Sequence, residues 1–146
     1  MLSIDSNQEV LAIKIHILSE KKAVKAFLSK LNEILQSTDF DVGQDLIIIK
    51  SDKEEIEYST NYTLVDLEYD TSDIVERLKE LTIADYSETL VDKDNDDPPL
   101  LFVFGKDIND RLVYIKLKIK DGNTKKVLCL SFHYAMYPME FPYRQA

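Results

Sequence analysis

Residues 111–134 read RLVYIKLKIKDGNTKKVLCLSFHY, and the reading of this stretch decides the fold. From 113 to 120 the side chains alternate strictly, with Val113, Ile115, Leu117 and Ile119 against Tyr114, Lys116, Lys118 and Lys120. A period of two belongs to an extended strand with one face on a core and the other turned away from it. Residues 127–133 predict a second strand, and the linking DGNTKK carries turn chemistry, so the pair reads as an antiparallel hairpin. Upstream, residues 100–104, LLFVF, predict a third strand ended by Gly105. Three successive strands make an antiparallel meander.

Ahead of the meander the period lengthens. Val24, Phe27, Leu28, Leu31, Ile34 and Leu35 recur at three- and four-residue spacings, which predicts a helix from about Ser19 and Glu20 to Gln36 with one apolar stripe. Residues 61–68 predict a short helix with Asn61 as its cap. Residues 72–81 predict another, with Ile74, Val75, Leu78 and Leu81 inward. Thr82, with Asp85 three residues on, caps a further turn. Two short β-prone runs precede and follow the first helix. In residues 10–18, VLAIKIHIL, the alternation of Ile13, Ile15 and Ile17 with Lys14 and His16 predicts one buried face; residues 46–50 read LIIIK. The acidic run at 92–97, closed by Pro98 and Pro99, reads as a loop, and the tail YPMEFPY as extended chain lying along the sheet or across an opening. The expected fold class is therefore α+β, with N-terminal helices packed on one face of a C-terminal antiparallel β-sheet.

A chain of 146 residues, 45% apolar, suits a single globular domain over 1–146. It has no apolar run long enough to span a bilayer, so no membrane partner is expected. The start, MLSIDSNQEV, is acidic and polar, unlike a secretory signal. Cys129 is the sole cysteine, which excludes an internal disulfide and a cysteine-rich zinc site. Together these predict a cytoplasmic protein. The net charge of −9 is unevenly spread: residues 1–105 carry −13, whereas residues 106–146 hold eight Lys/Arg against four Asp/Glu, a balance of +4. Phosphate contacts follow the local field rather than the total, so a basic C-terminal surface that binds nucleic acid is compatible with the composition. The same lysines also suit the ordinary task of solubilising and protecting a strand.

Cross-strand neighbours of an antiparallel pair point the same way. On the hairpin, alternation assigns Leu128, Leu130 and Phe132 to the apolar face and Cys129, Ser131 and His133 to the other. A six-residue connection sets Tyr114 directly opposite His133; a four-residue connection sets it opposite Ser131 with His133 on the diagonal. Direct and diagonal neighbours stand roughly 5 and 7–8 Å apart. Either register gathers a phenol, an imidazole and an ammonium group. Those groups suit RNA transesterification, in which a base takes the ribose 2′-hydroxyl proton, an acid protonates the leaving 5′ oxygen, and cations meet the charge on phosphate. Read blandly, they are the solvated face of a strand and an exposed histidine at its end. His16 has no partner identifiable from sequence. Asp92, Asp94, Asp96 and Asp97 resemble part of a calcium loop in composition but lack its glycine and closing glutamate. Walker, dinucleotide, nucleophile-elbow and zinc patterns are missing.

The runs LTIADYSE, LLFVFGKDI, RLVYIKLKI and VLCLSFHYAMYPMEFPY, in that order, resemble the MqsR-type ribonuclease toxins of bacterial toxin–antitoxin systems. The likeness covers about residues 60–134. It implies a RelE-like fold, a toxin-like ribonuclease domain over 20–146 and an N-terminal extension over 1–19. It further implies metal-independent cleavage of mRNA without a cofactor, and neutralisation by a cognate antitoxin protein. Tyr114 matches the family's functional tyrosine, and His133 matches the basic residue that follows the SF pair. Two positions depart: the lysine that the family has just after its DY/DF pair appears here as Glu88 or is absent, and Phe104 is apolar where the family has a polar residue, with Lys106 as the substitute for that charge. The expected catalytic set is Tyr114, His133, Lys116 and Lys106, with Arg111, Lys118 and Lys120 on RNA phosphates and no metal ligands. The alternative is a non-catalytic regulatory or protein-binding module derived from the toxin fold.

Overall fold

A computed structural model describes residues 15–50, 55–91 and 100–145. The hairpin forms from β5 (Arg111–Asp121) and β6 (Lys125–Tyr134), joined by only Gly122, Asn123 and Thr124. Val113, Ile115, Leu117 and Ile119 are buried, as the alternation requires. A three-residue connection is odd, however, and it pairs Lys118 with Leu128 and Leu117 with Cys129. The next pair is Lys116 with Ser131, so Leu130 is an extra residue, a β-bulge. The bulge overturns part of the assignment by alternation. Val127 and Cys129 enter the core, while Leu130 packs on the opposite face beside Leu90, Leu101 and Val103. Beyond it, Phe132 and Tyr134 are core residues, and Ser131 and His133 share the face of Lys116 and Tyr114.

The meander continues on the other side. β4 (Leu100–Ile108) pairs antiparallel with β5 through a two-residue turn, Asn109–Asp110, with φ of 53° and 66°. Two positive φ values are the hairpin turn whose twist matches its strands, and Asn and Asp tolerate them better than most residues. Gly105 therefore does not end the strand. It lies in mid-strand because a Cβ there would come 2.8 Å from Phe141 Cζ and 3.0 Å from Met139 Sδ, where the C-terminal tail crosses. β3 (Tyr86–Val91), a strand the sequence reading did not separate from the preceding turn, pairs antiparallel with β4, and β1 (Ile15–Ile17) with β3. β2 (Leu46–Ile48) pairs parallel with β6, so the sheet, ordered β1-β3-β4-β5-β6-β2, is antiparallel except at that edge. The face predicted as buried on β1 is half open, with Ile15 45% and Ile17 40% exposed. Ile13 and Lys14, the acidic run at 92–97 and its closing prolines lie outside the described residues.

The helices cover one face. α1 (Lys21–Gln36) buries Val24, Leu28, Leu31, Ile34 and Leu35, and Phe27 stacks on Phe102 at 4.2 Å between ring centroids. A single turn, α2 (Val42–Asp45), leads into β2. α3 (Thr60–Leu67) is capped by Ser59, whose hydroxyl accepts from Tyr62 N, rather than by Asn61. α4 (Thr71–Lys79) starts at a reciprocal Asp70–Asp73 capping box and buries Ile74, Val75 and Leu78. The turn after it carries the expected Thr82–Asp85 box. Among the described residues no helix is long and apolar enough to cross a membrane.

α3 also closes an edge. β2 accompanies β6 only from Val127 to Cys129, which leaves later β6 amides without a strand partner on that side. Phe132 N donates to Thr60 Oγ1 at 3.2 Å, and Tyr134 N donates to Thr63 Oγ1 at 3.0 Å. Both threonines are buried, so each hydroxyl satisfies an amide that water does not reach. Thr63→Val keeps the shape and removes the acceptor. It should cost about 1–3 kcal/mol, the desolvation penalty of one unsatisfied buried amide, read as a lower urea midpoint with unchanged slope.

Candidate active site

The face away from the helices holds a cleft of about 570 Å³ between the sheet and residues 135–140 of the tail. Its floor follows from the register. Glu88 pairs with Val103, Val103 with Lys116, and Lys116 with Ser131, so one row of side chains crosses four strands. The neighbouring row runs from Gly105 to Tyr114 to His133. A register shift between Tyr86 and Glu88 brings Ser87 and Glu88 together into the cleft lining. The tail supplies the wall. Ala135 N is tied to Leu112 O, Met139 and Phe141 sit over Gly105, and Tyr143 stacks on Tyr86 while its hydroxyl donates to Ser19 O.

Tyr114 and His133 lie directly opposite one another, their rings stacked at 5.2 Å and 13°. Burial first, and then the negative charge of Glu88, push the Tyr114 phenol up to about 12. Its hydroxyl therefore remains a donor throughout the neutral range. His133 Nδ1 lies 2.9 Å from Tyr134 O. A carbonyl only accepts, so Nδ1 carries a proton, and Nε2 is left as the nitrogen that exchanges one. Lys116 lines the same cleft, as do two carboxylates, Glu88 and Glu140.

Tyr114, Lys116 and His133 thus come together, and the other expected site residues do not. Lys106 lies on the helix-side face opposite Val113, and its ammonium stands 3.5 Å from Glu80 at the end of α4. The Arg111 guanidinium is 3.7 Å over the ring of Tyr134, whose hydroxyl donates to Asp66. Lys118 is only 2% exposed and presents no charge to a surface ligand. Lys120 is exposed beside the turn, opposite Lys126 and six residues from Tyr114, about 20 Å along the strand. The positive balance of residues 106–146 is therefore dispersed over several surfaces. Lys126 and Arg144 lie within 4 Å of Asp45 and Asp85 respectively. Sequence reasoning missed Ser87, Glu88 and Glu140 as cleft residues and left His16 without a partner, whereas His16 Nδ1 donates to Glu88 Oε1 at 2.8 Å. Among the described residues no three of His, Cys, Asp and Glu converge as a metal-binding set.

The raised Tyr114 pKa has a stability consequence of definite sign. The folded state holds the phenolic proton more tightly than the unfolded state. The resulting stabilisation is complete below pH 10 and is lost as pH rises through about 12. Tyr134 is pushed up to about 12 as well, by burial and by its hydrogen bond to Asp66. In an ultraviolet phenolate titration Tyr114→Phe should remove one of these two late steps and leave the other. Its alkaline loss of stability should be shallower than that of the wild type.

Comparison with known proteins returns no match for this chain among family models, curated proteins or solved structures.

Proposed function

We propose that the cleft is the active site of a metal-independent endoribonuclease, a cytoplasmic toxin of the MqsR type with a RelE-like fold. In this reading it cuts mRNA by attack of the ribose 2′-hydroxyl, without a cofactor, and is held in check by a cognate antitoxin protein. The observation that carries the proposal is the convergence of Tyr114, Lys116 and His133 on one cleft. His133 transfers a proton at Nε2, with Nδ1 anchored on the Tyr134 carbonyl in either charge state. Lys116 places a positive charge where the phosphate gains negative charge, and Tyr114 donates a hydrogen bond to it. The stack on Tyr114 fixes the plane of the imidazole, so little orientational freedom remains to be lost when substrate binds.

A second reading is favoured by charge. Glu88 and Glu140 outnumber Lys116 among the charged groups of the cleft, and residues 1–105 carry −13. Such a surface repels a polyanion and attracts a basic protein partner, as a regulatory module of the same fold would.

The two readings diverge on purified protein mixed with RNA. The ribonuclease reading expects cleavage that survives a chelator, and expects His133→Ala to slow it roughly 10²–10⁴-fold in a variant that keeps the wild-type circular dichroism spectrum. Expression of the wild type, but not of His133→Ala, should arrest bacterial growth. Lys116→Ala should weaken RNA binding and reduce its salt slope by about one. A folded wild type that cuts no RNA and arrests no growth selects the binding module.

A further inference from the structure

Attack by a 2′-hydroxyl moves two protons, one from the attacking oxygen and one to the leaving oxygen. The two oxygens sit in line on opposite sides of phosphorus, and each proton-transfer group must come within about 3 Å of its own oxygen. The base and the acid therefore stand apart, with the phosphate between them. The proposed function, on which this inference rests, supplies one such group, His133 on β6. The second has to line the same cleft on the far side of Tyr114 and Lys116.

Glu88 meets that requirement. It lies on β3, at the other end of the row that runs through Val103 and Lys116 to Ser131. Neighbouring strands are about 4.8 Å apart, so the Glu88 and Lys116 backbones are separated by about 10 Å, with only the short Val103 between them. The side chain is 34% exposed, open enough to meet a ligand, and it is held in place because Oε1 accepts from His16 Nδ1 on β1 at 2.8 Å. It lines the same cleft as Tyr114, and its charge is felt at the Tyr114 phenol. A carboxylate oriented by an imidazole on one side and facing a cleft on the other is built like a base with its positioning partner.

We propose that Glu88 is the general base of the cleft and that His133, protonated at Nε2, is the general acid. The 2′-hydroxyl proton passes to the Glu88 carboxylate as the 2′ oxygen bonds to phosphorus. The bond from phosphorus to the 5′ oxygen breaks, and the His133 proton passes to that oxygen. The products are a 2′,3′-cyclic phosphate and a 5′-hydroxyl, nothing is oxidised or reduced, and exchange with water resets both side chains. His16 is a positioning residue that acts through Glu88.

Sulfur substitution separates the two roles, because a thiolate leaves without being protonated. The step that the wild type cuts is first mapped in a mixed RNA pool. A short RNA of that step is then made with either oxygen or a bridging sulfur at the 5′ position. Glu88→Gln should slow cleavage of both substrates roughly 10²–10⁴-fold, with an unchanged circular dichroism spectrum and no loss of RNA affinity. Glu88→Asp should fall between it and the wild type. His133→Ala should be slow on the oxygen substrate and largely restored on the sulfur substrate. Glu88→Gln cutting both substrates as fast as the wild type, or being rescued by sulfur, overturns the assignment of the base while the ribonuclease reading stands. A wild type that cuts no RNA overturns that reading, and the role of Glu88 with it.

Discussion

The extra residue in β6 is the constraint on which the cleft depends. The three-residue turn at 122–124 fixes a pairing in which Leu117 faces Cys129. Were that pairing continued, Tyr114 would face Phe132, and His133 would fall opposite Val113 and point into the core. Inserting Leu130 shifts the register by one. Phe132 then fills the helix-side core, and His133 emerges beside Tyr114. A β-bulge re-aims side chains in this way wherever a ladder must satisfy a turn at one end and a site at the other. Leu130 itself is not left exposed to water, because it joins Leu90, Leu101 and Val103 in a small apolar cluster under the tail.

Two further segments lock onto the sheet around this hairpin, and the second of them, the tail, walls the cleft. On one side the α3 threonines take over β6 amides that the three-residue β2 does not reach. On the other side the tail returns across the sheet, where the absent side chain at Gly105 lets Met139 and Phe141 approach the backbone. Further along, Arg144 stacks on Phe141 and lies 3.7 Å from Asp85. The cleft is thus bounded by segments fixed to the sheet, which suits a site that depends on orientation more than on closure. Its electrostatics are mixed: a lysine set among carboxylates gives weaker attraction for a polyanion than a basic groove, so the proposed substrate would be held by local geometry rather than long-range steering.

The sequence was most legible where periodicity was long and unbroken. The helix over 21–36, the helix after Asp70 and the strict alternation of 113–120 are read directly, because each position repeats the same burial demand. It was least legible where one residue changes phase. Nothing in VLCLSFH signals that Leu130 is the extra residue, so plain alternation puts Leu128, Cys129 and Leu130 on the wrong faces and Ser131, Phe132 and His133 on the right ones. β3 was hidden because Tyr86, Ser87 and Glu88 follow a helical turn without a break, and its bulge removes the alternation that marks a strand. Glu88 and His16 meet across 72 positions of sequence, a contact that only the sheet order creates. Lys106, Arg111, Lys118 and Lys120 were grouped by charge, whereas strand parity and distance send them to different surfaces.

In the proposed reaction the cleft directs a ribose 2′-hydroxyl at its own phosphodiester. Replacing that single hydroxyl by hydrogen, at the nucleotide where the wild-type protein cuts, tests it most directly. With attack by that hydroxyl, the 2′-deoxy RNA binds with nearly unchanged affinity and is not cleaved at that step. Cleavage of the 2′-deoxy RNA at the same step and a similar rate would contradict it, because the nucleophile would then have to come from elsewhere.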